Sequence, residues 1–531
     1  MTTAAFSSFS TDAEAAERGL SARKEMRRSA HSQVSLATGR DPFAIISAQN
    51  QTRQQDLIGL RWKRMLTDPF AFYRGTAAIM AADLAAGPST GLDVVACGDA
   101  HLANFGFYAS PQRTLVFDLN DFDEAAVAPW EWDVKRLAVS FAMGALQNGH
   151  GETGATAAAA TAARAYREQL AAMVQLTVLQ RYYILETVPD RASDTAPKQA
   201  RRILDDAVAK ARKSSSDRVA KQLSTTLEDG SRQFVEDPPV LTRIAVTNED
   251  VQAYVTAYLA SVRPDVALLL SQYRLDDIAR RVVGVGSVGT RCLLLMLRGP
   301  SGEPLVLQIK EAGQSVLESH GHVGQPDFFG PIGSPDREGR RVVSYQHVLQ
   351  ASSDPFLGHF SLRGFDFYVR QFHDMKGGID VAGLGGRRLH RLRERVRPNP
   401  GAGPRPEPQR DRDLQLPGRF GHLRPGHRQL LPRLRRASRR RLRGSERTHH
   451  AAQSLTAKPL ALPTPGPAIA RPPDALRFDD AVRHLTGSRA GTGGSLSGAR
   501  TGRPERCGRG RGPPARSRAA TTGRPRPTEV M

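Results

Sequence analysis

The chain has 531 residues, enough for several domains of ordinary size and a sizeable core, and 40% of them are hydrophobic. Its formal charge of +22 is unevenly placed: residues 387–531 hold 34 Lys+Arg and 10 Asp+Glu, a net of +24, leaving 41 basic and 43 acidic residues, a net of −2, on residues 1–386. The near-neutral part gives no electrostatic reason to expect nucleic acid or an anionic membrane as its partner, and three scattered cysteines (Cys97, Cys292 and Cys507) exclude a disulfide framework or a zinc site and suit a reducing compartment.

Residues 1–40 are polar and read as poorly ordered, apart from a helix over 12–28, and the N-terminus lacks the basic-then-apolar pattern of a secretory signal. Residues 41–90 read as helical, with Thr67-Asp68 as a cap signal and Pro69 at the first helical position. From Gly91 the period changes, and 93–97 and 114–117 are short β-type runs between turn residues. Residues 133–190 return to helix through an alanine-rich stretch at 153–172, and 195–260 carry charged surface helices broken at Pro238-Pro239. Strands reappear at 282–283, 292–297, 305–309, 342–348 and 367–369, with a turn at 299–302. No apolar run approaches the roughly 20 residues that span a bilayer, so a cytoplasmic protein with no membrane partner is expected.

Beyond residue 386 the composition changes: 19 of the 35 prolines fall in the last 145 residues, and arginine dominates. One reading is a disordered basic tail able to bind nucleic acid. The favoured one is a shifted reading frame. The run 426–442, GHRQLLPRLRRASRRRL, back-translated with permitted codons and read one base later, gives AIANFSRAYAEQADADY, an amphipathic helix. Resequencing the gene decides between them.

Two constellations carry chemistry. The first joins Gly98-Asp99-Ala100-His101-Leu102-Ala103-Asn104 to Phe117-Asp118-Leu119-Asn120-Asp121-Phe122-Asp123. Phosphoryl transfer needs an Asp to position a hydroxyl, and an Asn and a further Asp to hold magnesium against phosphates. Asp99, His101 and Asn104 form the candidate catalytic loop, His101 being the weakest member, and Asn104, Asp118, Asp121 and Asp123 are the candidate metal ligands. Asp118 and Asp121 both suit the principal metal-binding role; the Phe after Asp121 favours the latter slightly. The pattern resembles the catalytic and metal-binding loops of aminoglycoside and choline kinases.

The second constellation is Val283-Gly284-Val285-Gly286-Ser287-Val288-Gly289-Thr290-Arg291 between two strand-like runs, followed by a strand that closes on Lys310. Backbone N–H groups of Gly284, Gly286, Ser287 and Gly289 suit phosphate, and a Lys ending the third strand after a glycine-rich hairpin suits the α- and β-phosphates. Glu311 or Glu318 are the candidates to restrain that Lys. Arg74, Lys135, Arg136 and Lys376 lie near these motifs in sequence and read as salt-bridge, surface or turn residues before phosphate ligands.

Taken together, PFAFYRG from Pro69, CGDAHLANFG from Cys97, VFDLNDFDEA from Val116, PWEWDVKRLA from Pro129, VGVGSVGTR from Val283, LQIKEA from Leu307 and DMKGG from Asp374 resemble the bacterial family grouped as domain of unknown function 2252. The resemblance covers roughly residues 40–380 and implies a kinase-like fold, with no substrate attached. Beyond the DMKG motif the family continues with a helical segment, where this chain runs into the basic tail.

The catalytic loop precedes the glycine-rich loop by almost 200 residues, the reverse of ordinary kinases, which a circular permutation accommodates. The expected fold is therefore α+β: a circularly permuted protein-kinase-like arrangement with a helical lobe over 41–280 and a small antiparallel nucleotide lobe over 281–386. The expected activity is transfer of phosphate from ATP, with Mg2+, to a hydroxyl on a small molecule or protein. A catalytically inactive nucleotide-binding module that regulates a partner is the alternative, and nucleic-acid binding through the tail a third.

Overall fold

A computed structural model describes residues 11–185, 188 and 198–379. The tail beyond 386, with its frame and nucleic-acid readings, lies outside the described residues. The first compact unit, Met1–Thr486, contains everything described below.

The helices come first, in a run: α1 (Asp12–Glu25), α2 (Pro42–Gln51), α3 (Ile58–Met65), α4 (Pro69–Arg74) and α5 (Ala77–Ala85). The cap read from sequence forms at α4, where the Asp68 side chain accepts from the Ala71 N–H and Pro69 takes the first turn. Strands β1 (Asp93–Ala96), β2 (Phe105–Ala109), β3 (Leu115–Leu119) and β4 (Ala126–Pro129) follow, then α6 (Trp130–Gln147), α7 (Gly151–Val174), α8 (Val178–Tyr182), α9 (Lys198–Lys213) and α10 (Ser216–Leu223). Short strands β5 (Ser224–Thr226), β6 (Arg232–Phe234) and β7 (Leu241–Arg243) lead to α11 (Asn248–Ser261) and α12 (Pro264–Leu270). The remainder is β8 (Arg274–Arg281), β9 (Cys292–Arg298), β10 (Pro304–Ala312), α13 (Val316–Ser319), α14 (Arg337–Leu349), β11 (Gly358–Leu362), β12 (Phe365–Gln371) and β13 (Gly377–Gly378).

This is a mixed α/β protein whose strand pairings are antiparallel among the described residues. Its main sheet has the order β11-β12-β10-β9-β8-β7, and a smaller one the order β13-β2-β3. The main sheet reaches back to Leu241, forty residues ahead of the boundary at 281 expected from sequence. Successive side chains point to opposite faces of a strand. Leu295, Leu297, Leu305, Leu307 and Ile309 accordingly pack under α11 and α12 with Val255 and Leu259. Leu294, Met296 and Val306 pack on the other side with Ala220 of α10 and Phe234 of β6.

Three local expectations fail. The stretch 195–260, read as helices, also carries the strands β5, β6 and β7. Residues 342–348 lie in the second half of α14, not in a strand. The stretch at 282–283 leaves the sheet just after β8 and enters the glycine-rich turn. No helix of the described residues is long and apolar enough to cross a membrane.

Candidate functional site

Strand β10 is apolar on both faces up to Gln308 and Lys310, which share the face of Val306. The antiparallel register sets Tyr368 of β12 opposite Lys310, and Arg370 opposite Gln308. Lys310 is only 2% exposed, so its ammonium needs a counter-charge. The loop after β3 supplies it: Lys310 Nζ donates to Asp121 Oδ1 at 3.2 Å and to Asp123 Oδ2 at 2.7 Å. The Tyr368 hydroxyl donates to Asp123 Oδ1 at 2.5 Å, and Arg370 donates to Gln308 Oε1 and to the Asn120 carbonyl, each at 3.0 Å.

These charges hold one another in place. Desolvation works against the Asp121 carboxylate, but Lys310, Arg370 and Lys376 outweigh it and hold the carboxyl below the usual range. Desolvation also opposes the ammonium, and Asp121 with Asp123 overcomes it, raising the Lys310 pKa well above the ordinary lysine value. Asp118 sits elsewhere on the hairpin: its Oδ1 accepts from the Leu119 N–H at 2.8 Å and its charge bears on Tyr108. Of the two carboxylates left open by sequence, Asp121 is the one gathered with Lys310.

The second part of the site is a loop fastened to α6. Asp133, Arg136 and Ser140 lie at i, i+3 and i+7 on one helix face. Asp133 accepts from the Cys97 and Gly98 N–H groups at 2.6 and 3.0 Å, and Ser140 Oγ accepts from the Leu102 N–H at 3.1 Å. Arg136 Nε donates to Asp99 Oδ1 at 2.5 Å and its guanidinium lies 4.6 Å from the Tyr73 ring centre. The salt-bridge reading of Arg136 is the one that holds. Asn104 Nδ2 donates to the Asp99 carbonyl at 2.8 Å, bracing the loop across its own turn.

His101 is buried, with Nε2 3.6 Å from Asp99 Oδ2, and burial takes its pKa down to about 4, so the ring is neutral near pH 7. Its Nδ1 has no partner among the described residues. Burial also pushes Asp133 up to about 6 and Glu124 up to about 7.

The two loops touch. Gly98 has φ +79°, and a Cβ there would stand 2.1 Å from the Glu124 carbonyl oxygen, so only glycine lets the Asp99 loop lie against the Asp121–Glu124 segment. The Cys97 thiol also contacts the Asp121 carbonyl at 3.4 Å.

The glycine-rich segment forms the connection of the β8–β9 hairpin and docks on the N-terminal helices. Arg53 donates to the Val288 carbonyl at 2.6 Å, Arg64 to the Gly284 carbonyl at 2.8 Å, and a Cβ on Gly286 would meet the Arg74 carbonyl at 3.2 Å. Ser287 Oγ turns back to the Val283 carbonyl at 3.2 Å, and Gly289 has φ +91°. Burial lowers the Arg53 pKa, against the charges of Glu124, Glu311 and Asp123.

Neither glutamate expected beside Lys310 restrains it. Glu311 points to the other face of β10, as the period of two requires, and pairs with Arg291 at 3.1 Å; Glu318 pairs with Arg337 at 2.6 Å. Asp121 and Asp123 take that place. Among the described residues no three His, Cys, Asp or Glu side chains group as a metal cage.

A family model described as "Uncharacterized protein conserved in bacteria (DUF2252)" matches residues 53–395. The chain belongs to that family. The match takes in every residue of both loops, the glycine-rich segment, Lys310 and Lys376. No curated protein and no solved structure matches the chain.

Several members of the site escaped the sequence reading. Tyr368 is read from sequence only as part of a strand and Arg370 lies just beyond it, and nothing local ties either to a β10 that lies some 60 residues earlier. Arg341 of α14 is fully buried and donates to the carbonyls of Asp123 and Gly313 at 3.0 and 2.8 Å, fixing the backbone under the acidic loop. An arginine among charged neighbours gives no signal of such burial.

Proposed function

We propose that this chain is an ATP- and Mg2+-dependent phosphotransferase with a circularly permuted protein-kinase-like fold, acting on a hydroxyl acceptor. The observation that carries it is Lys310, buried on a strand that follows a glycine-rich hairpin, meeting Asp121 and Asp123 from a loop 189 residues earlier. A lysine for phosphates beside carboxylates for a metal is what phosphoryl transfer requires, since catalysis there is mostly positioning and charge.

In this reading Lys310 releases its carboxylates to hold the α- and β-phosphates, and the glycine-rich turn covers them. Magnesium usually takes only one or two carboxylates, with phosphate oxygens and water completing its shell. Asp121 and Asp123, with the Asn104 side chain on the neighbouring loop, fit that demand, and when bound the ion would neutralise developing phosphate charge. Asp99, held in orientation by Arg136, accepts the hydrogen bond of the acceptor hydroxyl and aligns it for attack. Neutral His101 packs beneath Asp99 and orients the loop.

The double clamp on Lys310 favours one second reading, a nucleotide-binding module that regulates a partner without turnover. ATP consumption separates the two. With magnesium present the wild type should turn over, and Asp99→Asn should lower the rate by about 100-fold or more while nucleotide binding stays within a few-fold. Equal rates for wild type and Asp99→Asn would remove the enzyme reading, and retained binding without turnover would support the silent module.

A further inference from the structure

A cleft of about 260 Å3 lies between the β2–β3 turn, the stretch after α14 and the end of β12. Its walls carry Arg113, Arg370 and Lys376 as cations, and Asp354 and Asp374 as carboxylates. Asp354 accepts from the Phe356 and Gln371 N–H groups at 2.9 and 2.5 Å, and Asp374 pairs with Arg113 through Oδ2 while its buried Oδ1 has no partner among the described residues. The other two cations are not matched in the same way. Arg370 donates to two neutral oxygens, and the Lys376 ammonium has no hydrogen-bond or ion-pair partner among the described residues.

Two like charges face one cleft, then. Repulsion from Arg370, with burial, takes Lys376 down to about 7, against the attraction of Asp121 and Asp123. Burial with Lys376 and Arg370 keeps His373 neutral.

The backbone around the cleft is strained as well. Arg113 (φ 63°), His373 (φ 52°) and Met375 (φ 49°) are three of the six described non-glycine residues in the left-handed region. His373 and Met375 flank Asp374, so the segment that presents Lys376 is held in a conformation that L-residues adopt at a cost. Such strain gathers where a ligand is gripped.

We propose that this cleft is a binding site for a small organic anion, its phosphate or carboxylate group held between Lys376 and the Arg370 guanidinium. The guanidinium fork matches either group, and the cleft leaves room for an organic body beyond the charged end. The cleft borders the proposed nucleotide site without being lined by Lys310, Asp121 or Asp123, and Arg370 joins the two, since its second hydrogen bond goes to Asn120, the neighbour of Asp121. Nothing in this assignment depends on phosphoryl transfer.

The test uses the full chain with inorganic phosphate and succinate as probes, each followed by NMR titration at fixed ionic strength. The excess of basic residues over 387–531 attracts anions without a site, so the informative quantity is the difference between variants that share it. Saturable binding of either probe should weaken tenfold or more in Lys376→Gln and return to within threefold in Lys376→Arg. Succinate binding should stay within threefold in Lys310→Met, which keeps failure of this site distinct from failure of the phosphate-holding nucleotide site. Whichever probe binds tighter names the anion. Equal affinity in wild type and Lys376→Gln, or no saturable difference for either probe, would overturn the proposal. Should Lys376→Gln fail to fold, Arg370→Lys replaces it, with threefold or greater weakening expected and unchanged affinity counting against the site.

Discussion

Lys310 lies near the end of a strand built mainly of leucine, valine and isoleucine, between Cys292 and Tyr368 on the flanking strands, and it stays charged there because two carboxylates from a distant loop reach it. Replacing it with methionine fills the volume but leaves Asp121 and Asp123 facing each other. Removing one partner of a buried ion pair costs about 3–5 kcal/mol, and partial exposure of both carboxylates discounts that to about 1–3 kcal/mol at neutral pH. Urea unfolding of Lys310→Met measures it. The sign with pH follows from the shifts. Asp121 is depressed in the folded state, so its contribution is present above about pH 4 and lost as pH falls through the folded value; that of Lys310 is present below about pH 10 and lost above it. The deficit of Lys310→Met should therefore shrink in acid.

Glu124 behaves in the opposite sense. Its folded value, pushed by burial to about 7, lies above the unfolded one, so it favours folding below about pH 4 and loses that contribution as pH rises towards 7. Glu124→Gln keeps the acceptor for the Val316 N–H and removes the ionisation. Its stability should vary less than the wild type's between pH 5 and 8, by on the order of 1–3 kcal/mol. Parallel pH curves for the two proteins would contradict the buried-acid assignment. Asp99, Asn104, Asp121 and Lys310 were legible in sequence because their chemistry follows from residue type and short spacing. Tyr368, Arg370 and Arg341 were not, because their roles depend on strand register and buried charge.

Among the elements, α6 does most to position the site, presenting Asp133, Arg136 and Ser140 along one stripe to the loop from Cys97 to Leu102. That loop has no slack at Gly98. Gly98→Ala combines a positive φ with a Cβ 2.1 Å from a backbone oxygen, and should cost about 2 kcal/mol or more in denaturant unfolding, with loss of the site. The glycine-rich turn is held less tightly, by side chains of the N-terminal helices. Arg53→Ala removes the donor to Val288 and should speed proteolytic cleavage within 284–290 several-fold, with little change in global unfolding. Helices α1 to α5 and the first strands could be read from caps, turns and period. Helix α14 could not: its buried positions include Arg337, Glu338, Arg341 and Gln346, so polar residues interrupt the 3.6-residue stripe and leave only Val342, Val343 and Tyr345 to be mistaken for a strand.

For the molecule as a whole, the charge division is the fact with most reach. Residues 1–386 are almost neutral, and the excess lies in residues 387–531. Duplex DNA should therefore be retained by the full chain at about 50 mM salt, released steeply towards about 200 mM, and not retained by a chain ending at 386. Retention by the shorter chain would show a basic surface that the sequence does not predict. The main sheet gathers strands from Leu241 to Gln371, and the smaller one draws its third strand from Gly377–Gly378. Long-range pairing of this kind was the least legible feature, since a strand of two glycines carries no propensity of its own.

Strand β13 bears on how the chain matures in the cell. Gly377 pairs with Phe107, 270 positions earlier. At roughly 5–20 residues per second, a ribosome delivers the partner about 13–55 s after the hairpin it completes. Throughout that interval the nascent hairpin has an unsatisfied edge, and for the first part of it Asp121 and Asp123 await Lys310, made 189 residues after Asp121, so synthesis itself imposes a waiting period during which a chaperone, or a neighbouring edge, has first access.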